Sequence, residues 1–223
     1  MAEPKVKTIR GQVYQILRDD ICSGKYEPGF WLQEKELAEQ LGVSRSPVRE
    51  VLRQLVADGL VIEVPNKGVY VKEFTLRDID EIFDMRVLLE TYGIQRSKKN
   101  MTSVRRQKLF ELLELLEKSC AAGDLDKYVQ IDEELHIRIV ELGGNSLVES
   151  TYDRVRSMNQ QFRVLSLASR QRFSDSMEEH RRLIHALAVG DIASAEETVR
   201  IHLELARRTI KEQLMQGKMM EEN

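Results

Sequence analysis

The sequence predicts a mainly α protein in two parts: a small helical unit with a hairpin over residues 1–74, then an all-α antiparallel bundle over 75–223. Three observations carry this. Residues 33–60 hold two short apolar runs at helical spacing with a glycine between them. Two short β-branched runs follow, separated by Pro65-Asn66-Lys67-Gly68. From residue 76 onward the apolar residues keep helical spacing, with no strand pattern.

Taken in order, residues 8–23 read as the first helix, with Ile9, Val13, Ile16, Leu17 and Ile21 as its apolar side. Gly24, Pro28 and Gly29 end it and form a loop. Phe30, Trp31 and Leu32 should pack as a short extended segment against that helix, with the single Trp in the core rather than stacking on a ligand. Leu37, Ala38 and Leu41 belong to a second helix, and Val48, Val51, Leu52 and Leu55 to a third. Gly42 can take the left-handed conformation that ends a helix, and Ser44 can cap the next. Pro47 is tolerated because first-turn N–H groups have no intrahelical partner. Residues 59–64 and 69–72 read as strands. Helix, turn, helix, then a hairpin with a basic tip is a winged helix-turn-helix. In that motif Ser44, Arg45, Ser46 and Arg49 stand where a recognition helix meets base edges and phosphates.

Thr75 and Asp78 make a capping-box pattern, so a new helix starts near Leu76 after a linker of only a few residues. Breaks at Lys99-Asn100, Ala122-Gly123, Gly143-Gly144-Asn145, residues 166–174 and Gly190-Asp191 divide the remainder into helices at about 77–98, 102–121, 125–142, 146–165, 174–189 and 191–216. These should form an antiparallel bundle with a frayed tail from Lys218. No sequence repeat is visible.

The net charge of -3 does not announce nucleic-acid binding, but a local basic face from Lys35, Arg45, Arg49, Arg53 and Lys67 matters more than the total. No apolar run is long enough to span a membrane, and residues 1–7 lack the apolar stretch of a signal peptide, which points to a cytoplasmic protein. Cys22 and Cys120 fall on separate helices without Cys-x-x-Cys spacing and read as packed thiols rather than a disulfide.

Glu36-Leu37-Ala38, Leu41-Gly42-Val43-Ser44-Arg45 and Pro47-Val48-Arg49-Glu50 resemble the DNA-binding domain of the GntR family of bacterial transcription regulators, over roughly residues 6–72. The resemblance implies that Arg45 and Arg49 face a DNA operator, that Ser44 and Ser46 meet phosphates, and that Gly68 lies in the wing. Lys35 stands where members often carry Arg; an ammonium lacks the planar fork that reads guanine, so a phosphate contact is expected there. Residues 77–83 with Arg86, Leu89 and Glu90, then 132–136, Gly143-Gly144-Asn145 and Glu179-His180, resemble the FCD ligand-binding domain of the FadR subfamily.

All four histidines lie in the second part. Asp132 and His136 are four residues apart, about 40° around a helix, so they point the same way. His180 and His202 sit roughly ten to twelve residues either side of Gly190-Asp191, which puts them at one height in a helical hairpin. Asp132 and His136 lie a similar number of turns before Gly143-Gly144. Four ligands can thus meet at one level. His185 is about 140° from His180 and cannot share its face. The FCD resemblance strengthens the metal reading, because many members bind a divalent ion through one Asp and three His at these motif positions. Nitrogen and oxygen ligands favour Zn, Ni or Mn-like ions over Ca.

Arg86 can pair with Glu90 four residues on, or clamp a small organic acid effector beside the metal; Arg163 and Asn159 are further candidates for that pocket. The expected function is therefore a homodimeric, effector-responsive regulator on a palindromic operator. A metal sensor remains an alternative, as does a metal-dependent hydrolase, although no spare carboxylate stands at obvious spacing to act as its general base.

Overall fold

In the computed structural model the described residues are 8–221 apart from 168, with the side chains of 161 and 217–221 also left aside. The chain divides into two compact units between Thr75 and Leu76. Residues 1–7, whose sequence lacks the apolar stretch expected of a signal peptide, lie outside the described residues.

The first unit runs α1 (Ile9–Cys22), β1 (Trp31–Leu32), α2 (Glu34–Leu41), α3 (Arg45–Ala57), β2 (Val61–Val64) and β3 (Gly68–Val71). Thr8 caps α1, its hydroxyl accepting from the Gly11 N–H at 3.1 Å. Gly42 ends α2 in the left-handed region at φ 64°. Ser44 occupies the cap position of α3, but its side chain makes no capping hydrogen bond, unlike the expectation. Val13, Leu17 and Ile21 of α1 pack with Leu37, Val48, Val51, Leu52, Leu55 and Leu60 in one core.

Two sequence expectations need correcting here. Ile9 and Ile16 are exposed, at 61% and 43%. They are seven apart and share a stripe beside the buried Val13–Leu17–Ile21 line, so the apolar side is wider than the face α1 buries. Trp31 and Phe30, expected to pack with Leu32, are not core either: they are 48% and 45% exposed. Residues 31–32 form a strand, pairing antiparallel with β3, and strand alternation sends Leu32 inward and Trp31 outward. The sheet order is β1-β3-β2, with Glu63 opposite Val69. Trp31 stacks on its cross-strand partner Tyr70, centroids 6.5 Å apart. Gly68 has φ 114°, and a Cβ there would sit 2.5 Å from Trp31 Nε1, so the wing needs glycine twice over.

The second unit contains α4 (Leu76–Asn100), α5 (Ser103–Ala122), α6 (Leu125–Glu141), α7 (Ser146–Arg163), a 3-10 turn at Leu165–Leu167, α8 (Arg170–Val189) and α9 (Ile192–Glu221). Thr102, Asp124, Asn145 and Ser169 each cap the following helix through a side-chain oxygen. The Ser169 cap starts α8 four residues earlier than the composition of 166–174 indicated. The tail expected to fray from Lys218 is helical to Glu221; residues 222–223 lie outside the described residues. α4 lies against α6, α7 and α9, and α8 against α5 and α9. Gly93, in mid-helix, lets α4 meet α6 so closely that a Cβ would stand 2.1 Å from the Ile139 carbonyl oxygen. Cys22 and Cys120 are not joined in a disulfide and are partly buried. Among the described residues no helix is long and apolar enough to cross a membrane.

Candidate functional site: a buried Asp–His cluster and an exposed basic helix

α6 contributes Asp132 and His136, α8 contributes His180 and α9 contributes His202. One ligand atom from each lies within 4.8 Å of all the others, and all four residues are buried. The ring orientations are set from behind. His136 Nδ1 is 2.6 Å from Glu90 Oε2, and His202 Nδ1 is 2.7 Å from Glu179 Oε2. His180 Nδ1 is 2.9 Å from the Tyr128 hydroxyl, which also meets Ser176 Oγ at 3.1 Å. Carboxylate or hydroxyl partners on Nδ1 turn Nε2 inward, the arrangement that orients metal-bound histidines.

Nε2 of His136 is buried without a hydrogen-bond partner, 3.6 Å from Asp132 Oδ1. Nε2 of His180 lies 3.1 Å from the same oxygen. Buried nitrogens left unpaired cost free energy, and a cation among them removes that cost. Burial, helped by the neighbouring histidines, pushes His202 well below the ordinary histidine value. Burial likewise lowers His180. Both are thus biased to the neutral form that a metal requires. Burial lowers His136 too, but Glu90 and Asp132 outweigh it and the net shift is upward. Burial alone raises Glu90, yet His136 and Arg86 bring it down to about 2. Asp132 is held well below the carboxylate range because Arg163 and His136 overcome its burial.

The three effector candidates are all buried. Arg86 Nε donates to Glu90 Oε1 at 3.0 Å, the pair expected from their spacing. Arg163 Nη1 donates to Asp132 Oδ2, so it reaches a member of the cluster directly. Arg86 Nη2, Arg163 Nε and Nη2, and Asn159 Oδ1 have no partner despite burial. His185 is exposed on α8, edge-on to Phe110 at 5.6 Å, and belongs to no candidate metal cluster among the described residues.

Sequence reasoning missed the groups that hold the rings. Tyr128 was findable, because 128, 132 and 136 form one i, i+4, i+8 stripe on α6. Glu90 has a spacing that suggests a pair with Arg86, but it also takes His136 and accepts from Tyr152 at 3.1 Å. Glu179 neighbours His180 yet serves His202 on another helix, a relation no local spacing reveals.

In the first unit, Ser44, Arg45, Ser46 and Arg49 are exposed along the start of α3. Lys67 is exposed at the hairpin tip, where the Tyr70 hydroxyl donates to its carbonyl at 3.1 Å. Lys35 is exposed on α2, 4.0 Å from Glu39. Arg49 is engaged by Glu34 through three contacts of 2.8–3.1 Å.

An exposed basic helix backed by a wing, on one chain with a helical unit that buries a polar cluster in its core, is the build of a two-domain DNA-binding transcription regulator. Residues 9–71 match the family described as bacterial regulatory proteins, gntR family, and residues 81–205 match the FCD domain. The chain belongs to the GntR family and carries the FCD domain of its FadR subfamily. It is 30% identical to the gluconate operon transcriptional repressor of Bacillus subtilis over 79% of this chain and 74% of that protein. It is 27% identical to the HTH-type transcriptional regulator YdhC of the same species over 93% of both chains. A solved structure described as a transcriptional regulator GntR from Rhodococcus sp. RHA1 is similar with a TM-score of 0.77 and 26% identity, covering 90% of this chain and 96% of that one. These relatives are regulators, and this chain is a regulator rather than an enzyme, so the hydrolase alternative falls away.

Proposed function

We propose that this regulator is a cytoplasmic homodimer whose grip on a palindromic operator is set by a small carboxylate effector bound in a metal-containing FCD pocket. The observation that carries the reading is the convergence of Asp132, His136, His180 and His202 to within 4.8 Å, with each Nδ1 already engaged. A divalent ion of the Zn, Ni or Mn kind suits that N/O donor set and would supply positive charge for a carboxylate. Arg86 and Arg163 add further positive charge, and their unpartnered N–H groups are donors that a carboxylate satisfies. Asn159 Oδ1 would accept from a hydroxyl on the same molecule. Those unpartnered groups favour an organic effector over a sensor for which the ion alone is the signal. The effector shifts operator affinity only to the extent that it binds the two arrangements of the dimer differently.

At the DNA, Arg45 and Arg49 reach base edges, while Lys35, Ser44, Ser46 and Lys67 meet phosphates and Gly68 lets the wing turn. The test is operator titration of the purified protein with a panel of small mono- and dicarboxylates, gluconate among them, before and after removal of metal by a chelator. At least one acid should change operator affinity, and chelation should abolish its influence. A response that survives complete metal removal would contradict the pocket; a response to metal without any acid would favour the sensor.

A further inference from the structure

The Arg49 guanidinium, on the exposed face of α3, is gripped from the side by Glu34 in the first turn of α2. Nε stands 2.9 and 3.1 Å from the two carboxylate oxygens, and Nη2 stands 2.8 Å from Oε2. A guanidinium has five N–H groups in a fixed plane. This side-on contact uses the one on Nε and one on Nη2. The second Nη2 N–H and both on Nη1 remain, and among them is the parallel pair that reads O6 and N7 of a guanine. The Arg49 side chain is still 55% exposed, so the contact does not bury it. Ion pairs this exposed add little to stability, which leaves orientation as their main consequence. Arg45 lies at the start of the same helix and makes no side-chain hydrogen bond among the described residues.

We infer that Glu34 is a positioning residue for operator recognition: it holds Arg49 so that the free edge of the guanidinium is presented to one base, and it thereby sets sequence preference at that base. The inference rests on the reading that α3 enters the major groove. Ordering a long side chain before binding removes part of the entropy cost of the contact, and that gain is realised only where the base fits. A carboxylate at this place also repels phosphates, which weakens contact with DNA lacking the base. Both effects raise the ratio of operator affinity to general DNA affinity.

The test uses the full-length protein, a duplex selected from a random pool by the wild type, and a scrambled duplex of equal length at the same salt. Glu34→Gln should lower the ratio of the two affinities about tenfold, the low end of one bidentate base contact. Glu34→Asp keeps the charge but falls one methylene short, and should also lower the ratio. Added to Arg49→Ala, Glu34→Gln should bring no further loss. A wild-type ratio for Glu34→Asp, or equal tightening on both duplexes by Glu34→Gln, would reduce Glu34 to a bare charge and overturn the inference. So would an undiminished effect of Glu34→Gln in the Arg49→Ala background. If Arg49→Ala alone leaves the ratio unchanged, the placement of α3 fails first, and the single variant reveals it.

Discussion

Behind the cluster, Glu90 ties together side chains from three helices. Its two oxygens receive Arg86 Nε, the Tyr152 hydroxyl and His136 Nδ1, and its side chain is wholly buried. Glu90→Gln keeps the shape but removes the charge that makes His136 a better ligand, so metal binding should weaken about 10–100-fold. Competition with a chelator of known affinity measures this, and wild-type affinity in the variant would remove Glu90 from that role. On the DNA side, Arg45→Ala and Arg49→Ala should each weaken specific operator binding by about 1–3 kcal/mol. Lys67→Ala should weaken all sequences alike and lower the salt slope. Anisotropy titrations at several salt concentrations separate the two patterns; arginine variants that bind as the wild type does, still folded, would mean that another face of α3 meets DNA. At this scale the four clustered side chains were legible because helical spacing puts Asp132 and His136 on one stripe and a hairpin levels His180 with His202. Of their hydrogen-bond partners, Glu90 and Glu179 were not, because each acts on a ring carried by another helix.

Helix boundaries follow from capping chemistry that the sequence states openly, as at Thr8, Gly42, Gly123 and Gly190. β1 was not legible as part of the sheet, because two residues are too short for a periodic signal and its partner β3 lies far along the chain. That is also why Trp31 was expected inside: without the strand, nothing in the sequence said that Leu32, not Trp31, faces the core. Gly93 is the element-scale test of the bundle. Gly93→Ala would drive a methyl group into the Ile139 backbone, and side-chain rotation cannot relieve that contact. A loss of about 3 kcal/mol is expected, at the upper end of ordinary overpacking, read from denaturant unfolding of the helical unit. An unchanged midpoint would mean that α4 and α6 are further apart than described.

One winged domain contacts too few base pairs to pick out a specific site, so the whole molecule should act as a dimer on a palindrome. Sedimentation at micromolar concentration should show a dimer free and on DNA; a monomer in both states would contradict this. The FCD unit should hold an ion through Asp132, His136, His180 and His202, and this ion should support the effector's control of the operator. Metal analysis of three purified proteins checks this: wild type, His180→Ala and His185→Ala. His185 lies outside the cluster on the same helix as His180, which makes it the matched control. The wild type and His185→Ala should each carry about one divalent ion per chain, and His180→Ala should lose most of it. Full metal content in His180→Ala, or its loss in His185→Ala, would contradict the assignment.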